Sequence, residues 1–430
     1  MPLRTVFFWL HLAAGLLAGV LVLTMSVTGV ALTYERQLIK WSDREFQSIR
    51  LGATPPLPVE RLLEEFKRQR PDAQPSGITL SATPTDPVAI AVGQRPVYLD
   101  AYSGRVLGDA NQGVRRALSD LRAWHRWLAV EGEGRDSARA LTGWANVLFL
   151  FMIASGIYIW FPRRWSWASV KAIALFKSGA SGKARDFNWH NVIGIWSAIP
   201  LFIVVASAVP ISFPWGTALV YRAVGEEPPA ARGGGGGGRG GRGGGEARGQ
   251  AQSRTEGPGA RGGERREAGE QVSRRAGRGE RGERAEREPV SYEGMSTLMA
   301  QAQRQEDGWR TINLRLPSAD DAPLVFAIDR GDGGQPHLRS TLTLTRAGEV
   351  VTYESFASQS PGRRLRSIMR FAHTGEVLGL PGQTVAGLVS AGGVVLVWTG
   401  IALAWRRLRA WIKRRGAKPV EELAARSSAA

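Results

Sequence analysis

The sequence predicts an α-helical membrane protein: a four-transmembrane-helix bundle that carries two α+β domains on one side and a disordered Gly/Arg-rich insert. Three observations lead there. Residues 5–34, 140–162, 188–221 and 377–405 contain no Asp, Glu, Lys or Arg, and each exceeds the roughly 20 residues that cross a bilayer core. Two long polar stretches, about 35–139 and 222–376, alternate with these runs so that both fall on one side of a membrane. Four of the five histidines, His11, His125, His190 and His373, lie within or just outside the apolar runs. The chain then divides into a first span (1–34), a first polar domain (35–121), a pre-helix and second span (122–162), a basic loop (163–187), a third span (188–221), a linker (222–290), a second polar domain (291–370), a fourth span (371–405) and a basic tail (406–430).

The first run follows Arg4 and passes through Gly29-Val30-Ala31, which looks like a secretory signal with its cleavage site. Its apolar stretch is far longer than the about 7–15 residues of a signal's hydrophobic region, so it reads as an uncleaved anchor. In the first polar domain, VERLLEEFKRQ has helical periodicity, and the short alternating runs ITLSA, VAIAV and VYLDAYSGRVLG read as strands, with Ser103-Gly104 as a turn. That is a helix packed on an antiparallel sheet. The second polar domain repeats the order with EGMSTLMAQAQRQ, WRTINLRLP, PLVFAIDRG and STLTLTRAGEVVTYESF.

Basic residues set the sidedness. The loop between spans two and three carries Arg163, Arg164, Lys171, Lys177, Lys183 and Arg185 against Asp186, and the tail opens with Arg406, Arg407, Arg409, Lys413, Arg414 and Arg415. Short, strongly basic segments beside apolar spans stay in the cytoplasm. Both termini are therefore expected inside and the polar domains outside, in the periplasm if the membrane is a Gram-negative inner membrane. Trp9, Trp160, Trp165, Trp189, Trp215, Trp405 and Trp411 sit near span ends, where interfacial belts form.

With that topology, His11 and His190 enter their helices at the cytoplasmic level, and His125 and His373 precede theirs at the outer level. An ionisable side chain near hydrocarbon is costly unless it faces the bundle interior and finds a partner. Neutral imidazole is a good axial ligand for haem iron, and a helix bundle can hold a macrocycle between facing side chains. Two pairs at two depths imply two non-covalent b-type haems. Covalent attachment is excluded because the chain has no cysteine. Gly15, Gly19, Gly156, Gly194, Gly387, Gly392, Gly393 and Gly400 let helices approach closely and read as small-residue packing.

The strings WHRWLAVEGEGR, LTGWANVLFLFMIASGIYIWFPRR, NWHNVIGIWSAIPLFIVVASAV and RFAHTGEVLGLPGQTVAGLVSAGGVVLVWTGIALAWRR resemble the PepSY-associated transmembrane helix family. The resemblance covers all four helices and both outer domains, which then look like PepSY modules; Tyr98, Asp100 and Gly104 match the closing tyrosine, aspartate and turn glycine of that repeat. It implies an inner-membrane iron-uptake protein akin to the di-haem ferric-siderophore reductases. The family's haem ligands then fall on His125, His190 and His373 by motif, and on His11 by its place in helix one. Asp100 reads as a turn-former and His337 as an exposed loop residue.

Other chemistry is sparse. Residues 179–184 lack the spacing of a P-loop, no H-E-x-x-H occurs, and the glycine runs near 233–245 do not follow a strand. Without a flavin or nicotinamide site, electrons must come from a separate donor, a quinol or a reductase. The expected activity is transfer of electrons across the membrane to a ferric siderophore or other iron chelate. An alternative is a non-enzymatic PepSY membrane module that binds a protein or peptide partner, its histidines interfacial or holding a metal ion.

Residues 232–288 are largely Gly, Arg and Glu and, apart from scattered alanines and Val272, offer nothing apolar to bury, which predicts disorder. Arginine-glycine repeats invite an RNA-binding reading, but this one is expected outside the cytoplasm and glutamates dilute its charge, so it reads as a solvated linker. Its positive charge suits anionic membrane lipid or an anionic chelate. The net charge of +18 comes from the loop, the tail and this insert, and signals membrane orientation more than a nucleic-acid partner. Replacing residues 232–288 by a short Gly/Ser linker is expected to leave membrane insertion and cofactor content unchanged, as read by fractionation and by the visible spectrum; loss of either shows the insert to be structural.

Overall fold

A computed structural model describes residues 2–229 and 291–427, apart from 47, 48, 50, 52, 53, 94, 163–165, 318 and 320. The expectation of disorder for 232–288, and the roles given to Arg163, Arg164 and Trp165, lie outside the described residues.

Four helices are long and apolar enough to cross a membrane: α1 (Leu3–Leu32), α5 (Gly134–Trp160), α7 (Gly182–Ser212) and the segment Glu376–Arg415, most of which belongs to α11 (Gly379–Ser427). Their outward faces carry Leu17, Trp196, Ile199, Leu388 and Trp398, each 68–78% exposed. An apolar belt of that kind requires lipid. Inside, Ala14, Ala18, Val22, Phe149, Met152, Ile153, Leu201 and Val205 form the bundle core. α1 and α7 each pack against both α5 and α11, so α1 and α7 face one another across the bundle. The glycine reading holds for most positions: Gly19 faces Ile401 and Val397, Gly194 faces Leu396, and Gly393 faces Ser26 and Phe149.

Shorter helices surround the bundle's sheet-bearing end: α2 (Glu35–Ser42), α4 (Gln112–Trp127), α8 (Pro214–Ala223) and α10 (Pro361–His373), with α6 (Trp167–Ala174) at the opposite end. Here several expected boundaries change. The pre-helix and second span over 122–162 are separate helices, α4 and α5, because Leu128 and Ala129 adopt left-handed φ of 54° and 56° and Ala129 N–H closes on Ala123 O. The third span starts earlier, at Gly182, and breaks at Phe213-Pro214 instead of running to 221. The linker expected from 222 also starts later. α8 reaches Ala223, and the Glu226 carboxylate accepts from Ser360 Oγ (2.8 Å) and Gly362 N (3.1 Å).

The polar segments share one sheet. α3 (Val59–Gln69) precedes β1 (Pro75–Ser81), β2 (Val88–Val92), β3 (Arg95–Leu99) and β4 (Val106–Asp109), while α9 (Met295–Gln305) precedes β5 (Thr311–Arg315), β6 (Leu324–Asp329), β7 (Arg339–Leu344) and β8 (Val350–Ser355). The strand order is β4-β3-β2-β1-β5-β6-β7-β8, antiparallel throughout. Two separate domains were expected. Instead β1 and β5 pair over Gly77↔Arg315 to Ser81↔Thr311, because each four-strand meander alone would leave an open edge, and pairing removes one from each. Both helices lie over one sheet face on a shared core that includes Leu63, Phe66, Ile90, Met295, Leu314 and Phe326, all fully buried. The helix starts are linked as well: Ser296 N–H donates to Glu60 (2.7 Å) and Val59 N–H to Ser296 Oγ (2.8 Å). Asp100 is the turn-former expected, its Oδ1 accepting from Tyr102 N (2.8 Å) and Ser103 N (3.0 Å).

Asp43 ties sheet to helices. Its fully buried carboxylate accepts from Tyr98 Oη (2.9 Å) on β3 and from Asn111 N (2.8 Å) and Arg115 Nη2 (2.5 Å) at the start of α4. Burial, then the adjacent carboxylate, pushes the Tyr98 hydroxyl up to about 12. Asp43→Ala strands a partly buried guanidinium and is expected to cost about 3–5 kcal/mol in denaturation of the detergent-solubilised protein. A raised phenol favours the folded state below its ordinary value near 10, and that contribution is lost as pH rises through 12. Stability is therefore expected to fall between those values in the parent and to fall less in Tyr98→Phe.

Candidate functional site

Two histidine pairs cross the bundle on the same diagonal. His11, on α1, and His190, on the first turns of α7, have ring centroids 6.5 Å apart. His125, near the end of α4, and His373, the last residue of α10, have centroids 6.1 Å apart. α4 packs on α1 and α10 on α7, so the second pair is carried by helices stacked on the same two spans. These are the pairings anticipated from the topology. His125 reaches its partner on the separate helix α4.

Local sequence explains each placement. For His190, the buried Asp186 one turn earlier bonds Arg185 (3.0 Å) and Arg406 of α11 (2.8 Å), and buried Asn188 accepts from Lys177 N (3.0 Å) and donates to Leu175 O (3.1 Å). These contacts fix the start of α7. For His125, the α4 start is held by Asp43 and its end by Thr142 Oγ1, which donates to Arg126 O (2.7 Å). Arg135 stacks on Trp127 at 4.0 Å, closing the reversal into α5. For His373, the chain turns at Gly375 (φ +75°), where a Cβ would lie 2.3 Å from Gly382 O. Only glycine permits that crossing, and it brings the end of α10 against the start of α11.

All four rings are bonded through Nδ1. His11 Nδ1 meets Ser155 Oγ (2.9 Å), His125 Nδ1 meets Thr28 Oγ1 (3.0 Å), and His190 Nδ1 meets Thr399 Oγ1 (3.0 Å). His373 Nδ1–H donates to Val204 O (2.8 Å). Among the described residues no hydrogen bond engages Nε2 of any of the four rings. Three glycines border the rings: a Cβ on Gly156, Gly29 or Gly400 would lie 3.4–3.5 Å from Cε1 of His11, His125 or His190. The reading of Gly156 and Gly400 as general helix packing thus narrows to packing against a histidine. Gly29, read as part of a cleavage-like string, has the same role.

The partners Ser155, Thr28 and Thr399 escaped the sequence reading because hydroxyls in apolar helices usually bond their own backbone. The available signal was a Ser or Thr immediately before Gly in three of the four spans. His337 lies apart, exposed in a 3-10 turn over Pro336–Leu338.

Along α1, the sites stand at His11 and at Thr28, a separation of roughly 25 Å at 1.5 Å per residue. Between them lies the apolar layer of Ala18, Val22, Phe149, Ile153 and Leu201. The helices carrying the second pair are basic: α4 holds Arg115, Arg116, Arg122 and Arg126, and α10 holds Arg363, Arg364, Arg366 and Arg370. Asp43, Glu35 and Glu354 pair with Arg115, Arg122 and Arg363. Among the described residues, no three or more His, Asp or Glu side chains gather as a metal-ion site.

The family model described as the PepSY-associated TM region matches residues 8–407. No curated protein matches the chain at a significant level.

Proposed function

The chain belongs to the PepSY-associated TM region family, and on that premise we propose that it is a di-haem b-type cytochrome of the inner membrane that passes electrons across the bilayer to reduce a ferric siderophore or similar ferric chelate. The observation that carries this reading is the spacing of the two histidine pairs. Metal–nitrogen bonds of about 2 Å, plus roughly 1 Å from each nitrogen to its ring centre, put two imidazoles on one metal about 6 Å apart. The centroid separations of 6.5 and 6.1 Å fit that value.

The residues present fit haem better than a bare ion. Each pair offers two Nε2 atoms and no third protein ligand among the described residues, so the remaining positions around a metal call for a macrocycle. Trp160 Nε1, one turn beyond Gly156 on α5, is buried with no partner among the described residues, a donor left for an acceptor such as a propionate. His11 and His190 hold one haem in this reading, and His125 and His373 the other. When bound, haem supplies the one-electron iron chemistry. The protein's own residues orient the ligands, keep the layer between the sites dry, and separate them by a distance close to the roughly 30 Å of a bilayer core.

Both termini lie in the cytoplasm in this topology, and the sheet and the His125/His373 pair lie outside. A bulky chelate meets the outer pair, whose arginine-bearing rim attracts anions. Electrons arrive at the inner pair from a quinol or a reductase. Ferrous iron binds hard-oxygen chelators far more weakly than ferric iron, so one-electron reduction releases the metal.

The purified protein is expected to contain about two haems per chain with six-coordinate, low-spin spectra. His11→Ala and His190→Ala should each remove the same haem, and His125→Ala and His373→Ala the other. A colourless protein with all four histidines intact refutes the assignment. The dithionite-reduced parent should be re-oxidised by a ferric siderophore, and His373→Ala should abolish this while its inner haem stays reducible; equal re-oxidation rates place the exit elsewhere.

A further inference from the structure

We propose that Ser155, Thr28 and Thr399 are positioning residues that lock His11, His125 and His190 into a single tautomer, with the proton on Nδ1 and a bare lone pair on Nε2. The inference rests on the haem reading above and adds to it the groups that set ligand strength.

The argument is a proton count. A hydroxyl carries one proton. Ser155 Oγ has Phe151 O (2.8 Å) and Met152 O (3.3 Å) to receive it, Thr28 Oγ1 has Thr24 O (2.6 Å) and Met25 O (3.2 Å), and Thr399 Oγ1 has Val395 O (2.7 Å) and Leu396 O (3.2 Å). With the proton on a backbone carbonyl, each oxygen accepts toward the imidazole and the histidine donates from Nδ1. His373 reaches the same state by another route, because the Val204 carbonyl has no proton to give. Hydrocarbon offers no water to compete for these groups.

The arrangement recurs. TGVAL at 28–32, SGIYI at 155–159 and TGIAL at 399–403 place a hydroxyl and a glycine side by side on α1, α5 and α11. In each, the hydroxyl accepts the ring proton while the glycine leaves room for the ring edge, with 3.4–3.5 Å from a Cβ built there to Cε1. α7 lacks the dipeptide and supplies the Val204 carbonyl instead. Three independent repeats of one geometry, each directed at a proposed ligand, are more than general helix packing requires.

An acceptor on Nδ1–H raises the basicity of Nε2 and thereby favours the ferric state of a bound haem. Without it, a buried N–H loses its partner and the ring can switch tautomer. The test is optical redox titration and low-temperature electron paramagnetic resonance of the purified full-length protein and its Thr399→Val, Thr399→Ser, Ser155→Ala and Thr28→Val variants. Thr399→Val and Ser155→Ala should each raise the midpoint potential of the haem that His190→Ala removes, and weaken its retention about 10–100-fold. The other haem is the internal reference for an intact fold. Thr28→Val should do the converse, and Thr399→Ser should restore the parent values. Should Thr399→Val fail to accumulate, the smaller Ser155→Ala change carries the same test for the same haem. Two retained haems with unmoved potentials overturn the hydroxyl role alone; a parent without haem overturns this inference together with the function it rests on.

Discussion

A histidine ring buried among lipid-exposed helices must have its polar atoms satisfied from within the protein, and the architecture follows from how that is done here. Each imidazole crosses to a neighbouring helix and bonds through Nδ1 to Ser155, Thr28, Thr399 or Val204 O. Burying an unpaired N–H costs about 1–3 kcal/mol, so these four bonds favour one rotational setting of the helices over others. They also hold the rings as two pairs, with centroids 6.5 and 6.1 Å apart. Helix packing and site geometry are one constraint.

The sheet serves the same end from outside the bundle. Two meanders with the same helix-then-four-strands order join through β1 and β5, and the joined sheet is fastened to α2 and α4 through Asp43 and Tyr98. Further links run from the second repeat to the bundle side, where Arg36 pairs with Glu376 and donates to Asp332 O at 3.2 Å. α4 and α10 lead from the two repeats into the bundle, and each carries one histidine of the sheet-side pair. That pair depends on the sheet for its alignment, whereas the other is aligned by α7, α11 and the buried Asp186 cluster. On the proposed function, the two sites can therefore be tuned by separate parts of the chain.

Much of this was legible in the sequence for a physical reason: a bilayer imposes length, apolarity and charge asymmetry on any chain that crosses it. The four spans, the strands at VAIAV and PLVFAID, the turn at Asp100 and the two histidine levels all follow from local patterns of that kind. The motifs around His125, His190 and His373 carried the resemblance to the PepSY-associated family, and the match over residues 8–407 shows the membership. The division into two outer domains did not survive, since edge pairing between β1 and β5 joins residues 230 or more positions apart and leaves no local mark.

The sequence by itself therefore determined the membrane class, the span count and which histidines share a level, because each is set by the composition of a contiguous stretch. Only the tertiary structure decided that His125 arrives on its own helix, that the polar segments share a sheet, and that Ser155, Thr28 and Thr399 are the histidines' partners. Those outcomes depend on where a left-handed turn at Leu128 and Ala129 sends the chain, and on which helix faces meet across the bundle. A hydroxyl that bonds its own i−4 carbonyl looks the same in sequence whether or not an imidazole lies on its other side.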